Sequence, residues 1–194
     1  MAEYQVLRRA PISEALIDIR VKLSSKLDVR QIDSIYESIK PDYPQKLEQR
    51  ISQVQVEQKP DEGMVKSSTK INGYRYISSD KKQIVQARLD GFTFSRLHPY
   101  ITWEALRSEA YRLWLLYKEV TTPELITRVA LRYINNLNIP MPIKDFSEFL
   151  TAPPVIPDEL PQGVSSFLTR VIIHEPSIGA DGIITHALEQ VGTD

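Results

Sequence analysis

Alternation of apolar and polar residues predicts most of the strands in this chain. In EALIDIRVKL, residues 14–23, every second side chain is apolar, which is typical of a strand with one buried face. The segments ISQVQVEQ, TKINGYRYIS and KQIVQARLDGFTFSRL have a similar character and predict three further strands. Within the last of these, Asp90-Gly91 is either a hairpin turn or a bulge. The apolar pattern on both sides favours a bulge in one long strand.

Two segments place apolar residues at helical spacing instead. In residues 29–39 they recur every three or four positions, with Asp28 as the predicted N-cap and Pro41 as the stop. A longer helix is predicted from Trp103 to about Val120, with Thr102 as its N-cap. Its core-facing stripe consists of Trp103, Leu106, Ala110, Leu113, Trp114 and Tyr117. We expect both helices to pack on the sheet.

A further strand is predicted over residues 126–139, and its two sides differ. One side carries Val129, Leu131 and Tyr133, which we expect to face the core. The opposite side carries Arg128, Arg132 and Asn136. The strand therefore combines an apolar face with a cationic, amide-bearing face.

The end of the chain changes in composition and then returns to strands. Six prolines occur from Pro140 to Gly163, so residues 151–163 are predicted to be a stiff connection, or a linker, outside the sheet. The segments SSFLTRVIIHEP and DGIITHALEQ then predict a strand pair. Because neighbouring strands without crossover helices pair antiparallel, the predicted class is α+β. We expect a curved antiparallel β-sheet of about seven strands, with two main helices packed on one face, in a single domain over residues 1–194.

Composition limits the classes of function. The 24 Lys and Arg residues nearly balance the 25 Asp and Glu residues, and a net charge of −1 lacks the basic excess that favours nucleic-acid binding. The chain has no cysteine, which excludes disulfides, thiol nucleophiles and thiolate metal sites. No apolar run approaches the ~20 residues of a membrane span, and the start MAEYQVLRRAP lacks the apolar core of a signal peptide. We therefore expect a cytoplasmic protein that does not bind membranes.

The arginines are the main candidates for a ligand site. Guanidinium groups bind phosphate and carboxylate through paired hydrogen bonds, and several arginines are predicted to share the outward face of the sheet. The predicted anion-binding residues are Arg88, Arg128, Arg132 and Asn136, with Arg20 and Arg170 as possible neighbours. The competing interpretation is an ordinary polar face on which Asp18, Asp90 and other acids neutralise these arginines. Asn136, like Asn135, is either a reader of ligand or base edges or a structural residue near a strand end.

Other candidate residues do not assemble into a catalytic pattern. His98, His174 and His186 lack zinc-site spacing, although the last two are candidates to face one another across the final strand pair. Most aromatic residues fit the core, whereas Tyr74 and Tyr76 are the better candidates for exposed base stacking. No glycine-rich phosphate loop is present. We therefore assign no catalytic residue, metal or cofactor.

Three segments together resemble a sporadically distributed bacterial protein family of unknown function. They are APISEALIDIR, DGFTFSRLHPYITWEAL and TRVALRYINNLNIP, in that order, within residues 10–140. The resemblance implies that this chain is a shortened member, because the family continues with another strand and a terminal helix. Its patchy distribution suggests a mobile context such as defence or toxin and antitoxin systems. It implies no reaction and no catalytic residues.

Three functions remain open at this point. The leading hypothesis is a non-enzymatic interaction module that binds a protein partner or itself, because a well-patterned chain lacks a catalytic constellation. The alternative is an anion- or nucleotide-binding enzyme or sensor that uses the arginines on the sheet face. Nucleic-acid binding through the same face is possible but not favoured, because the charge is balanced.

Overall fold

The computed structural model describes residues 9–24, 27–58, 63–139, 143 and 145–189, without the side chains of residues 53–58 and 63–67. Its contacts divide the chain into two compact units, Met1–Leu137 and Asn138–Asp194, and each is described by itself. A single domain over the whole chain stays a prediction. In the described part of the chain, no helix is both long and apolar enough to cross a membrane.

The first unit is built on an antiparallel sheet of six strands. The strands are β1 (Ile12–Lys22), β2 (Gln45–Gln58), β3 (Gly63–Ile77), β4 (Gln83–Arg88), β5 (Gly91–Leu97) and β6 (Leu125–Asn135). Their order across the sheet is β2-β3-β4-β5-β1-β6, and every neighbouring pair is antiparallel. The predicted α+β class, with helices packed on an antiparallel sheet, is confirmed.

The helices of this unit are α1 (Val29–Asp33), α2 (Ile35–Ile39) and α3 (Trp103–Thr121). Both predicted N-caps are confirmed, because the Asp28 carboxylate and the Thr102 hydroxyl each accept a hydrogen bond from a first-turn backbone N–H. Residues 29–39 are helical as predicted, but they form two five-residue helices and not one. They divide at Ser34, whose hydroxyl donates to the Gln31 carbonyl at 2.7 Å and so competes with the helical hydrogen bonds.

The core lies between these helices and the sheet. The buried residues of α3 are Leu106, Ala110, Leu113, Trp114, Tyr117 and Thr121. Trp114 and Tyr117 pack on Phe92 of β5, with ring centroids 5.9 and 5.8 Å from it. Trp103 was predicted on the same stripe, but it stands in the first turn and is 40% exposed. The buried stripe therefore begins at Leu106.

The bulge predicted at Asp90-Gly91 is wrong, because these residues form a hairpin between β4 and β5. Arg88 pairs with Gly91, which leaves Leu89 and Asp90 as a two-residue turn. Neighbouring strands hold this turn through the backbone: the Leu89 N–H donates to β3 and the Asp90 carbonyl accepts from β1. A Cβ on Gly91 would lie 2.4 Å from the Ile19 carbonyl oxygen, so the close approach requires glycine.

The second unit contains a 3₁₀ turn at Phe146–Glu148 and the strands β7 (Phe167–Glu175) and β8 (Ala180–Leu188). These strands pair antiparallel, which confirms the strand pair predicted near the end of the chain. The Pro-rich residues 151–163 lie outside any strand, as predicted.

Candidate functional site

The helix-free face of the first unit carries a charged cluster around Asp18 of β1. Asp18 and the core-facing Ile19 point to opposite faces of the sheet. Asp18 is nevertheless only 7% exposed. Its carboxylate accepts hydrogen bonds from the Thr93 hydroxyl at 2.7 Å and from the Arg128 guanidinium at 2.6 Å. The Arg88 guanidinium reaches the same carboxylate at 3.3 Å. Asp18 therefore joins β1, β4, β5 and β6.

A second acid, Asp90, lies in the hairpin turn beside this carboxylate. Arg88 Nε donates to Asp90 Oδ1 at 3.1 Å. Arg20 forms ion pairs with both Asp18 and Asp90. We call these five residues the Asp18 cluster: Asp18, Asp90, Arg20, Arg88 and Arg128. Three arginines face two aspartates, so the cluster keeps one excess positive charge.

The protonation of Asp18 follows from these contacts. Burial acts to raise its pKa, but hydrogen bonds from Thr93 and Arg128 and the charge of Arg20 outweigh that effect. The net result is a pKa below the ordinary value, and Asp18 is ionised at neutral pH. Its oxygens occupy the position that an anionic ligand would take between Arg88 and Arg128. This arrangement agrees with the interpretation in which acids neutralise the arginines.

The structure brings together only part of the predicted anion site. Arg88 and Arg128 meet on Asp18, as described above. Arg132 lies on the same face of β6, opposite Leu16, and is exposed without an ion pair or hydrogen bond among the described residues. Asn136 follows the end of β6 and donates its backbone N–H to the Pro11 carbonyl at 2.8 Å. Arg170 belongs to the second unit.

Polar contacts continue from the Asp18 cluster toward β2. Gln86 Oε1 accepts from Arg88 at 2.8 Å and from Gln49 Nε2 at 2.8 Å. Gln49 Oε1 and Arg75 Nε are buried and have no hydrogen-bond partner among the described residues. The sequence does contain a signal for this network, because Asp18 interrupts the apolar strand ALIDIRV. That signal did not reveal which arginines would reach Asp18.

The two tyrosines predicted to be exposed for base stacking are buried. Tyr74 is 7% exposed and Tyr76 is 0% exposed. Tyr76 stacks on Tyr36 of α2 at 5.7 Å between ring centroids. This prediction was wrong because the side of β3 that carries both tyrosines faces α1 and α2. They belong to the core and offer no platform for a ligand.

The apolar side chains of the edge strand β6 are more exposed than predicted. Val129, Leu131 and Tyr133 were expected in the core, but they are 66%, 47% and 38% exposed. Their register places them on the helix-bearing side of the sheet, opposite three β1 residues. However, α3 packs over β5 and β1, and this row stays between one third and two thirds exposed among the described residues. We call Val129, Leu131 and Tyr133 the β6 apolar stripe.

The free backbone edge of β6 runs beside this stripe. In the part of the chain that the structure describes, β6 pairs with β1 alone, so its other edge carries unpaired N–H and C=O groups. Tyr133 contacts Tyr100 edge to face, with ring centroids 5.6 Å apart. That contact fixes one end of the stripe.

His174, His186 and Glu109 lie in separate local environments. The His174 ring lies 2.8 Å from the Asp181 carboxylate, and His186 stands opposite Thr169, so the two histidines do not face one another. Among the described residues, no group of three or more His, Asp or Glu side chains is placed to hold a metal ion. Glu109 forms an ion pair with Arg112 at 2.7 Å.

Comparisons with protein-family models, with curated proteins and with solved structures gave no significant match to this chain. The resemblance to a sporadic bacterial family, and the defence context that it suggests, stay predictions.

Proposed function

We propose that this protein is a non-enzymatic interaction module that adds a strand of a partner protein to β6. The observation that carries this proposal is the exposure of the β6 apolar stripe beside an unpaired strand edge. Such an edge is a template for a further strand. Strand addition buries apolar side chains and pairs the free backbone groups at the same time.

The stripe is large enough to contribute measurable affinity. Full burial of a Val, Leu or aromatic side chain contributes roughly 1.5–3 kcal/mol. Each residue of the stripe is about half exposed, so the three together contribute on the order of 3–4 kcal/mol. Association entropy opposes this gain and new backbone hydrogen bonds add to it. With these two effects taken to offset each other, a single strand is expected to bind with a Kd on the order of 1 mM.

The anion-binding alternative has weaker support. The Asp18 carboxylate already accepts hydrogen bonds from Arg88 and Arg128, and two aspartates face the three clustered arginines. A phosphate would have to displace a buried, ionised carboxylate that has several donors. Nucleic-acid binding also draws little support from a net charge of −1.

Synthetic peptides test the proposed function. We would measure fluorescence anisotropy of labelled ten-residue peptides that alternate valine with a varied polar residue, at increasing concentrations of the protein. We expect saturable binding that weakens about five- to tenfold in Leu131→Ser, because about half of one buried leucine is lost. Leu115→Ser is the matched control, since Leu115 is 44% exposed on α3 and its loss should leave binding unchanged.

Two results would contradict the proposal. One is that no peptide binds at protein concentrations up to several millimolar. The other is an equal loss in Leu131→Ser and Leu115→Ser, which would mean that the peptides do not distinguish β6 from α3.

A further inference from the structure

We infer that the segment bound along β6 carries two acidic residues four positions apart, with apolar residues between them. This inference rests on the proposed function and specifies the chemistry of the partner. Its basis is the charge of β6. Arg128 and Arg132 lie on the helix-free face, and the β6 apolar stripe lies on the other face.

The positive charge on this face is only partly neutralised. Arg128 is bound to Asp18, but its side chain remains 59% exposed. Arg132 has no ion pair among the described residues, and Glu14, near it on the same face, has none either. Arg132 adds one positive charge to the excess of the Asp18 cluster and Glu14 removes one, so this side of the edge keeps one excess positive charge.

The pairing geometry of a sheet predicts where acidic residues must occur in the added strand. Residues directly opposite one another on paired strands lie on the same face, with Cβ atoms about 4.5–5.5 Å apart. Acids opposite Arg128 and Arg132 are therefore four positions apart on the added strand. The two apolar positions opposite Val129 and Leu131 alternate with them. The pattern is acid, apolar, any residue, apolar, acid, and it reads the same for a parallel or an antiparallel strand.

The same charges argue against a second copy of β6 as the occupant. The strand LITRVALRYIN contains two arginines and no acidic residue. In an antiparallel pair of two β6 strands centred on Ala130, Arg128 of each copy would stand opposite Arg132 of the other. Like charges in opposite positions destabilise a sheet. A partner strand with acidic residues turns these repulsions into attractions.

Three peptides that differ only in charge test this inference. They share a ten-residue frame, and their cores are Glu-Val-Thr-Val-Glu, Gln-Val-Thr-Val-Gln and Lys-Val-Thr-Val-Lys. We expect the acidic peptide to bind about three- to tenfold more tightly than the neutral one, from the usual strength of exposed ion pairs. This advantage should shrink as salt increases, because exposed charges are screened. The basic peptide should bind most weakly.

The Arg132→Glu variant sharpens the test, because Arg132 has no described partner and its replacement should leave the fold intact. We expect this variant to lose the preference for the acidic peptide. Arg30→Glu on α1 is the matched control, since it changes the same charge at another exposed position and should keep the preference. Circular dichroism of both variants checks that each is folded.

The possible outcomes separate this inference from the proposed function. Equal binding of the acidic and neutral peptides would overturn the acidic preference and leave strand addition standing. Absence of binding by all three would overturn both. Two further results would overturn the assignment to an acidic protein segment: tighter binding of a labelled single-stranded RNA, or a concentration-dependent dimer that Leu131→Ser abolishes.

Discussion

Replacement of Asp18 by asparagine tests whether the Asp18 cluster stabilises the sheet. Asparagine keeps the shape but removes the negative charge, so Arg88, with a side chain only 11% exposed, keeps only the half-exposed Asp90 as an acidic partner. Loss of this contact and weakening of the one to Thr93 should cost about 2–3 kcal/mol. Arg128 and Arg20 are 59% and 36% exposed, and their contacts add at most ~1 kcal/mol. We therefore expect Asp18→Asn to lower the free energy of unfolding by about 2–4 kcal/mol.

Urea unfolding followed by tryptophan fluorescence measures this change. Both tryptophans of the chain, Trp103 and Trp114, lie in the first unit, so the signal reports that unit. Asp33→Asn is the control, because it also removes one carboxylate charge but from an exposed pair with Lys46. We expect it to cost less than about 1 kcal/mol. Equal losses in the two variants would refute the claim that the cluster is a buried network.

Three further results are expected. The pKa of Asp18 is lower in the folded protein, so the stability that its charge contributes is present above pH ~4 and is lost as the pH falls further. The difference in free energy of unfolding between wild type and Asp18→Asn should therefore disappear at low pH. A difference that does not change with pH would contradict this. Gly91→Ala places a Cβ 2.4 Å from a β1 carbonyl oxygen and should lower the free energy of unfolding by at least ~2 kcal/mol. Gly163→Ala is the control, because a Cβ there meets no atom within 4 Å, and it should lower the free energy of unfolding by less than ~0.5 kcal/mol. Urea unfolding followed by circular dichroism compares the two variants, and equal midpoints would disprove the close approach. Tyr117→Phe removes a 2.7 Å hydrogen bond from the Tyr117 hydroxyl to the Arg88 carbonyl in the hairpin and should lower the free energy of unfolding by about 1 kcal/mol in the same assay. Tyr111→Phe is the control and should have no effect, because Tyr111 is 61% exposed. An unchanged stability of Tyr117→Phe would mean that this hydrogen bond does not stabilise the fold.

Local signals in the sequence were enough to predict much of the first unit. The helix that begins at Trp103 and both N-caps follow from short-range patterns, and the structure has them where predicted. The hairpin at Leu89 and Asp90 was missed for a different reason. Its turn is held by backbone bonds to β1 and β3, which are far away in sequence. Local apolar spacing contains no information about such contacts.

The environment of β6 shows a second limit of sequence patterns. Alternation correctly placed Val129 and Leu131 on the face opposite Arg128 and Arg132. It did not show whether a helix covers that face, which depends on where α3 crosses the sheet. The ion pair between Arg88 and Asp18 spans 70 residues and could be identified only after the strand order was known. The sequence therefore predicted the chemistry of β6 better than its exposure.

The strand order β2-β3-β4-β5-β1-β6 also has a consequence for synthesis on the ribosome. β2 to β5 pair in the order in which they are made, but β1 pairs only with β5 and β6. Roughly 70 residues separate the end of β1 from the start of β5, which corresponds to ~3–14 s of translation. We expect protease sensitivity near β1 in nascent chains stalled before β5, and protection in chains that include β6. Until then β1 lacks both of its partner strands, and this strand is the segment on which we expect a chaperone to act.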